Sequence, residues 1–338
     1  MRHRRLLCQC SLITEGDSKL AAGKSASEQY QSQGAGNEYG EAIVVDSFGN
    51  AYVSGVFCYD LKLGTIFLER IGECDLFLAK MSTNGNWIWA KQVGGDGGYT
   101  YSIYHTISLT TDAVYLGGYS NSSEVIAQDV VMTNLNHDTY NPFILKAAIS
   151  NGAFVWGDMI DQDLNSYVKS IHSTSDGGAI ITGHFRSESM DFGIHTIHNS
   201  NSSQAEVFIA KIDGNGIWQW AKGAGSPQID ESMGISVDSN SNVYISGSYC
   251  QNWATDGQSQ CTASFGTTTI SRTTSGGLDG DLFVAKLSAD GSWIWAVGAG
   301  GNGQDYASSV AVDSFGDAYV TGTFESSTVD LGNTTISR

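Results

Sequence analysis

Six cysteines lie in the 338 residues. Cys58 and Cys250 occupy the same register, each three residues past a recurring glycine, Gly55 or Gly247. Cys74 and Cys261 follow downstream. Thiols so placed predict two local disulfides, Cys58–Cys74 and Cys250–Cys261, with free buried thiols as the alternative. Each bridge would pin one connection and contribute roughly 3 kcal/mol through loop-closure entropy. Such bridges imply an oxidising compartment. Cys8 and Cys10 belong to the N-terminal stretch, and no CxxC pair or Cys/His cluster has zinc spacing.

Other residue patterns raise chemistry less directly. The turn DSNSN offers Asp238, Asn240 and Asn242 at alternate positions, like the start of a calcium loop, but the glycine and closing glutamate of such a loop are missing. The segment GLDGDLF, with Asp279 and Asp281, is no closer to one. Calcium therefore stays a minor expectation, and no other cofactor is expected. His195 and His198 in FGIHTIH read as surface residues of a connection. No G-x-S-x-G elbow or phosphate loop occurs. Carboxylates are too numerous for an acid pair to stand out. Trp253 lies outside every repeated segment and is the candidate ligand-contacting side chain.

The elements that hold these residues repeat. AIVVDSFGNAYVSGVF at 42–57 returns as GISVDSNSNVYISGSY at 234–249 and SVAVDSFGDAYVTGTF at 309–324, with degenerate copies at 106–120 and 170–185. A second phrase, DLFLAK, recurs with its lysine at Lys80, Lys146, Lys211 and Lys286. The glycine of the first phrase falls at Gly55, Gly118, Gly183, Gly247 and Gly322. Two markers keeping one period indicate duplication. Each unit reads as four short strands separated by Gly/Asn/Asp turns, with a connection of variable length between strands two and three. A repeated four-stranded unit predicts an all-β fold, a β-propeller of antiparallel four-stranded blades, with a β-solenoid as the competitor. About five units are expected, roughly 37–95, 96–160, 161–225, 226–300 and a partial 301–338, after a non-repeat leader at 1–28. The propeller domain would span 29–338. Both ends cut a repeat, which suggests a fragment of a longer protein. The alternative is a five-bladed ring with one defective blade.

Seven of the eight tryptophans fall on strand four: Trp87/Trp89, Trp156, Trp218/Trp220 and Trp293/Trp295. Two residues apart on a strand, paired rings are expected on one face. Packing between blades is the preferred reading and a sugar-binding platform the alternative.

VDSFGNAYVSG and VDSFGDAYVTG resemble the SBBP-type β-propeller repeat of microbial extracellular proteins, and FVAKLSADGSWIWA resembles its longer form. The resemblance implies the propeller fold and secretion or surface display, and brings no catalytic residues. Units two and three depart from it, because the aspartate closing strand one is missing.

The net charge of -18 repels phosphate backbones and anionic lipids, against nucleic-acid partners and membrane surfaces. No uninterrupted apolar run is long enough to span a bilayer. MRHRRLLCQCSLI is a poor secretory signal. These observations predict a non-enzymatic, monomeric, extracellular or cell-surface module. It would bind a glycan or protein through the loops between strands two and three, above all the Cys250–Cys261 loop with Trp253. A polysaccharide lyase or hydrolase at the channel and a purely architectural repeat are the alternatives.

Overall fold

The computed structural model describes residues 38–96, 98–101, 106–251, 261–272 and 280–338. All regular elements among them are β-strands. The first blade runs Glu38–Val45, Ala51–Phe57, Asp75–Met81 and Trp87–Gly95, each strand antiparallel to the one before. The third comprises Tyr167–Ser173, Ala179–Phe185, Glu206–Ile212 and Trp218–Ala224. The fourth comprises Ile229–Val237, Val243–Gln251, Asp281–Leu287 and Trp293–Ala299. In the second blade strand one is split, Thr100–Tyr101 and Ile107–Leu109, before Ala113–Ser120, Asn141–Ala148 and Phe154–Met159. Asp305–Val312 and Ala318–Phe324 form the last antiparallel pair. The first strands of successive blades pack against one another and make the inner wall. These repeated meanders are β-propeller blades, as the sequence predicts.

The variable connections are not open loops. Each contains a short hairpin: Leu61–Leu63 with Ile66–Leu68, Glu124–Ala127 with Val130–Thr133, Ser189–Phe192 with His195–His198, Thr262–Phe265 with Thr268–Ser271, and Thr328–Asp330 with Thr335–Ser337. The first four hairpins lie against the fourth strand of their own blade. Three of the five also bond to the fourth strand of the preceding blade or to the residue just after it. Val125 and Ile126 pair with Gly95 and Gly94. Ser264 exchanges backbone bonds of 2.7 and 3.1 Å with Gly225, and the Asp330 N–H donates to the Gly300 carbonyl at 3.0 Å. The hairpins therefore clasp neighbouring blades together and satisfy edge groups that would otherwise stay open.

The tryptophans depart from expectation. A bulge opposite Lys80 and Met81 leaves Ile88 unpaired, so Trp89 faces Lys80 while Trp87 faces Met81. The same bulge recurs in the third and fourth blades. One extra residue moves the two rings onto opposite faces of the sheet. Trp87, Trp218 and Trp293 pack under the hairpin turn of their own blade, at Gly64, Gly193 and Gly266. Trp89, Trp156 and Trp220 reach the next blade, against Gly152, Gly216 and Gly291. Trp156 and Trp220 donate their ring N–H to the Gly214 and Ala289 carbonyls, both at 3.1 Å. Packing thus occupies both rings, within and between blades.

The missing aspartates are partly replaced. Asp46 and Asp238 hold their turns by accepting backbone N–H bonds, and their second oxygens face Lys80 and Lys286 at 3.9 and 3.5 Å. In the third blade Asp176, inside the turn, reaches the equivalent Lys211 at 2.6 Å. The lysine in the second blade, Lys146, instead donates to the Gly214 carbonyl at 2.9 Å.

Candidate functional site

Turns between strands one and two, and between three and four, share one end of the blades. The opposite end carries the two–three connections and the blade-to-blade crossings. Both disulfides are there: Cys58 joins Cys74, and Cys250 joins Cys261. A tyrosine-rich surface is there too.

Its construction begins with the recurring glycine. Strand one is bulged just after its start in blades one, three, four and five, between Gly40/Ala42, Val168/Ser170, Ser232/Gly234 and Ala307/Ser309. The bulge drives a strand-one carbonyl into strand two. A Cβ on Gly55, Gly183, Gly247 or Gly322 would lie 2.0, 1.9, 1.9 or 2.1 Å from the carbonyl oxygen of Tyr39, Tyr167, Glu231 or Tyr306. Only glycine permits that approach. The residue whose carbonyl it admits is Tyr39, Tyr101, Tyr167, Glu231 or Tyr306 in the five blades in turn. The period-keeping glycine and the inner-wall tyrosine are two halves of one device.

Tyr99 and Tyr101 stack at 5.6 Å with ring planes 8° apart. Tyr119 is buried beneath and meets Tyr101, Tyr140 and Tyr167 at 5.8, 5.4 and 4.8 Å. Tyr167 continues to His184 at 5.2 Å, and Lys169 Nζ stands 5.3 Å from the Tyr167 ring centre. Five tyrosines thus run unbroken from the end of blade one into blade three. Burial raises the Tyr101 hydroxyl to about 12 and also pushes up Tyr119 and Tyr167, so all three remain protonated hydrogen-bond donors at neutral pH.

The surface continues as two clefts that share Arg186. One, about 460 Å³, is lined by Leu164, Asn165, Tyr167, Arg186, Ser202 and Ser203. The other, about 280 Å³, is lined by Arg186 with Glu231, Ser248, Gln251, Gln304 and Tyr306 among others. Between them His184 is 4% exposed, with Nδ1 3.6 Å from a Glu231 oxygen. Burial pushes its pKa down to about 4, against a smaller opposing pull from Glu231, so the ring is neutral. Burial also lowers Lys169.

Residues 294–323 match the family described as SBBP, beta-propeller repeat. With four antiparallel meanders and the paired fifth unit already placed side by side, the match decides the fold. This is a β-propeller repeat protein. A curated relative, "Uncharacterized WD repeat-containing protein L264" of Acanthamoeba polyphaga mimivirus, is 24% identical over 202 residues. That match covers 52% of this chain and 14% of the relative's length.

Trp253 and Asp279 lie outside the described residues. Asp281 opens strand three of blade four as a buried side chain packed on Gly300, whose Cβ would lie 2.3 Å from its carboxyl carbon. Asp238 closes a turn built like those at Asp46 and Asp313, its carboxylate receiving the Asn240 and Asn242 N–H groups and the Tyr244 hydroxyl. His195 and His198 sit on the third accessory hairpin, opposite Phe192 and Ser189. Among the described residues no three His, Cys, Asp or Glu side chains group as metal ligands would. Among the described residues no helix is long and apolar enough to cross a membrane. The tyrosine surface is the site that the sequence reading missed. Its signal was a tyrosine four residues before the apolar residue of strand one in Tyr39–Ile43, Tyr167–Ile171 and Tyr306–Val310.

Proposed function

We propose that this propeller is a non-enzymatic extracellular or cell-surface module that binds a glycan through the tyrosine surface of its connection face. The observation that carries the reading is the run from Tyr99 to Tyr167, flat rings bordered by hydroxyl and amide side chains at the cleft walls. Aromatic faces cover the C–H faces of sugars while the surrounding polar groups take up hydroxyls. Rings held by a buried neighbour lose little freedom on binding. The two disulfides support an oxidising compartment.

This moves the proposed recognition site from the strand two–three connections to the inner wall beside them, because three of the five hairpins in those connections clasp neighbouring blades. Trp253 keeps its proposed role as a ligand contact. The lyase or hydrolase alternative finds one favourable observation, His184 beside Glu231 with Tyr167, Lys169 and Arg186 nearby. Against it, His184 is covered by the Tyr167 ring and has almost no surface with which to reach a substrate.

The test is incubation of the oxidised chain with a polysaccharide panel, read for retention and for released product. The expected outcome is retention without product, weakened by Tyr99→Ala and by Tyr167→Ala. Product release would replace this reading with the enzyme. Failure to retain any glycan would leave a protein partner or an architectural role.

A further inference from the structure

Positive charge is scarce in this molecule, with 17 Lys and Arg against 35 Asp and Glu. Where the structure describes them, several of the scarce cations are employed. Lys80, Lys211 and Lys286 each face an aspartate, and Lys146 caps a carbonyl. Arg70 donates to the Glu73 carbonyl at 2.8 Å, and Arg338 to that of Glu325 at 3.3 Å.

Lys62, Lys91, Lys222, Arg186 and Lys169 have no such partner among the described residues, and of these Arg186 and Lys169 stand at the clefts and the tyrosine surface. Arg186 forms no hydrogen bond or ion pair with any described residue, although it lines both clefts and shares one with Tyr167. Lys169 has its ammonium over the Tyr167 ring and likewise no carboxylate within ion-pair distance among the described residues. Lys169 is also the bulged residue of strand one, where the other blades place Glu41, Met233 and Ser308. Glu231 is the carboxylate that both Lys169 and His184 feel. It lies within ion-pair distance of neither Lys169 nor Arg186 and meets His184 instead. A planar guanidinium with free N–H groups at a cleft wall suits an oxyanion, which it can hold through two parallel hydrogen bonds.

We infer that the saccharide bound at this face is anionic, with its carboxylate or sulfate oxygens on Arg186 and its ring on Tyr167. Lys169, over the Tyr167 ring, adds attraction, and Ser202 and Ser203 line the same cleft to meet hydroxyls. The net charge of -18 opposes long polyanions. At physiological ionic strength that repulsion is screened beyond about 8 Å, whereas contacts inside the cleft are not. The inference rests on the glycan-binding reading and narrows it to one ligand class.

The experiment is calorimetric titration of the whole oxidised chain with oligogalacturonate, its carboxyl-reduced counterpart, a sulfated galactan oligosaccharide and a neutral cello-oligosaccharide. Arg186→Gln and Arg186→Lys are measured beside the wild type, with circular dichroism reporting that the blades persist. The expected result is binding of an anionic ligand that falls about ten- to a hundred-fold in Arg186→Gln, partly restored in Arg186→Lys. The carboxyl-reduced ligand should bind as weakly as the variant does if the oxyanion is a carboxylate. Preference for the sulfated ligand would support the same site with sulfate as the anion. Equal binding of neutral and charged ligands, unaffected by Arg186→Gln, would overturn this inference and leave the glycan-binding reading standing. Binding of none would overturn both.

Discussion

At the scale of single residues, one buried imidazole sets a measurable pH dependence. His184 titrates near 6.5 when unfolded and near 4 in the folded chain. Between those values the unfolded chain holds a proton that the folded chain refuses. Stability is therefore full above pH 6.5 and declines as the pH falls towards 4, by about 3 kcal/mol for this group. Asp230 works with the opposite sign. Burial raises its carboxyl well above the ordinary value, so its share of stability is lost as the pH rises. The contribution of His184 is isolated by His184→Phe. Chemical denaturation at pH 4.5 and pH 7.5 should show the variant losing less stability on acidification than the wild type. Equal losses would mean that the ring is not held neutral.

At the scale of elements, the first turn of each accessory hairpin shows what sequence discloses. Gly64, Gly193, Gly266 and Gly332 all have positive φ, from 60° to 85°. The second blade places Gln128 there at 56°. A side chain in the left-handed region costs about 1–2 kcal/mol, so Gln128→Gly is predicted to raise stability by about 1 kcal/mol, read as an increase in Tm. These turns were legible because glycine marks them. The strand period was legible for the same reason, since each marker answers a steric demand that recurs in every blade. The faces of the tryptophans were not. Their i, i+2 spacing implies a shared face, and the bulge at Ile88 reverses that without leaving a distinctive residue: its counterparts are Val155, Gln219 and Ile294. Asp176 was hidden in the same way. It serves Lys211 from a turn position, so a search at the end of strand one could not find it.

Across the whole molecule, the two ends of the blades divide the work. The turn end holds the aspartate–lysine contacts and the tryptophan rings that lock one blade to the next. The connection end holds the disulfides, the clasping hairpins and the tyrosine surface. Sequence displayed the lysines and tryptophans of the first set openly, because they recur from blade to blade, though not the faces that the rings take. It hid the second. Tyr101 lies six residues before Ile107, where its counterparts lie four before theirs, and Glu231 replaces tyrosine in blade four. A surface assembled from unequal blades has no single motif, and variation between blades is what a specific ligand site requires. The central claim is that ligand covers this surface. Hydroxyl-radical footprinting of the oxidised chain, with and without a retained oligosaccharide, measures it directly. Protection is expected at Tyr99 and Tyr167, with Phe48 and Phe315, both exposed on the turn end, reacting unchanged. Protection of Phe48 and Phe315 with Tyr99 and Tyr167 still reactive would contradict it.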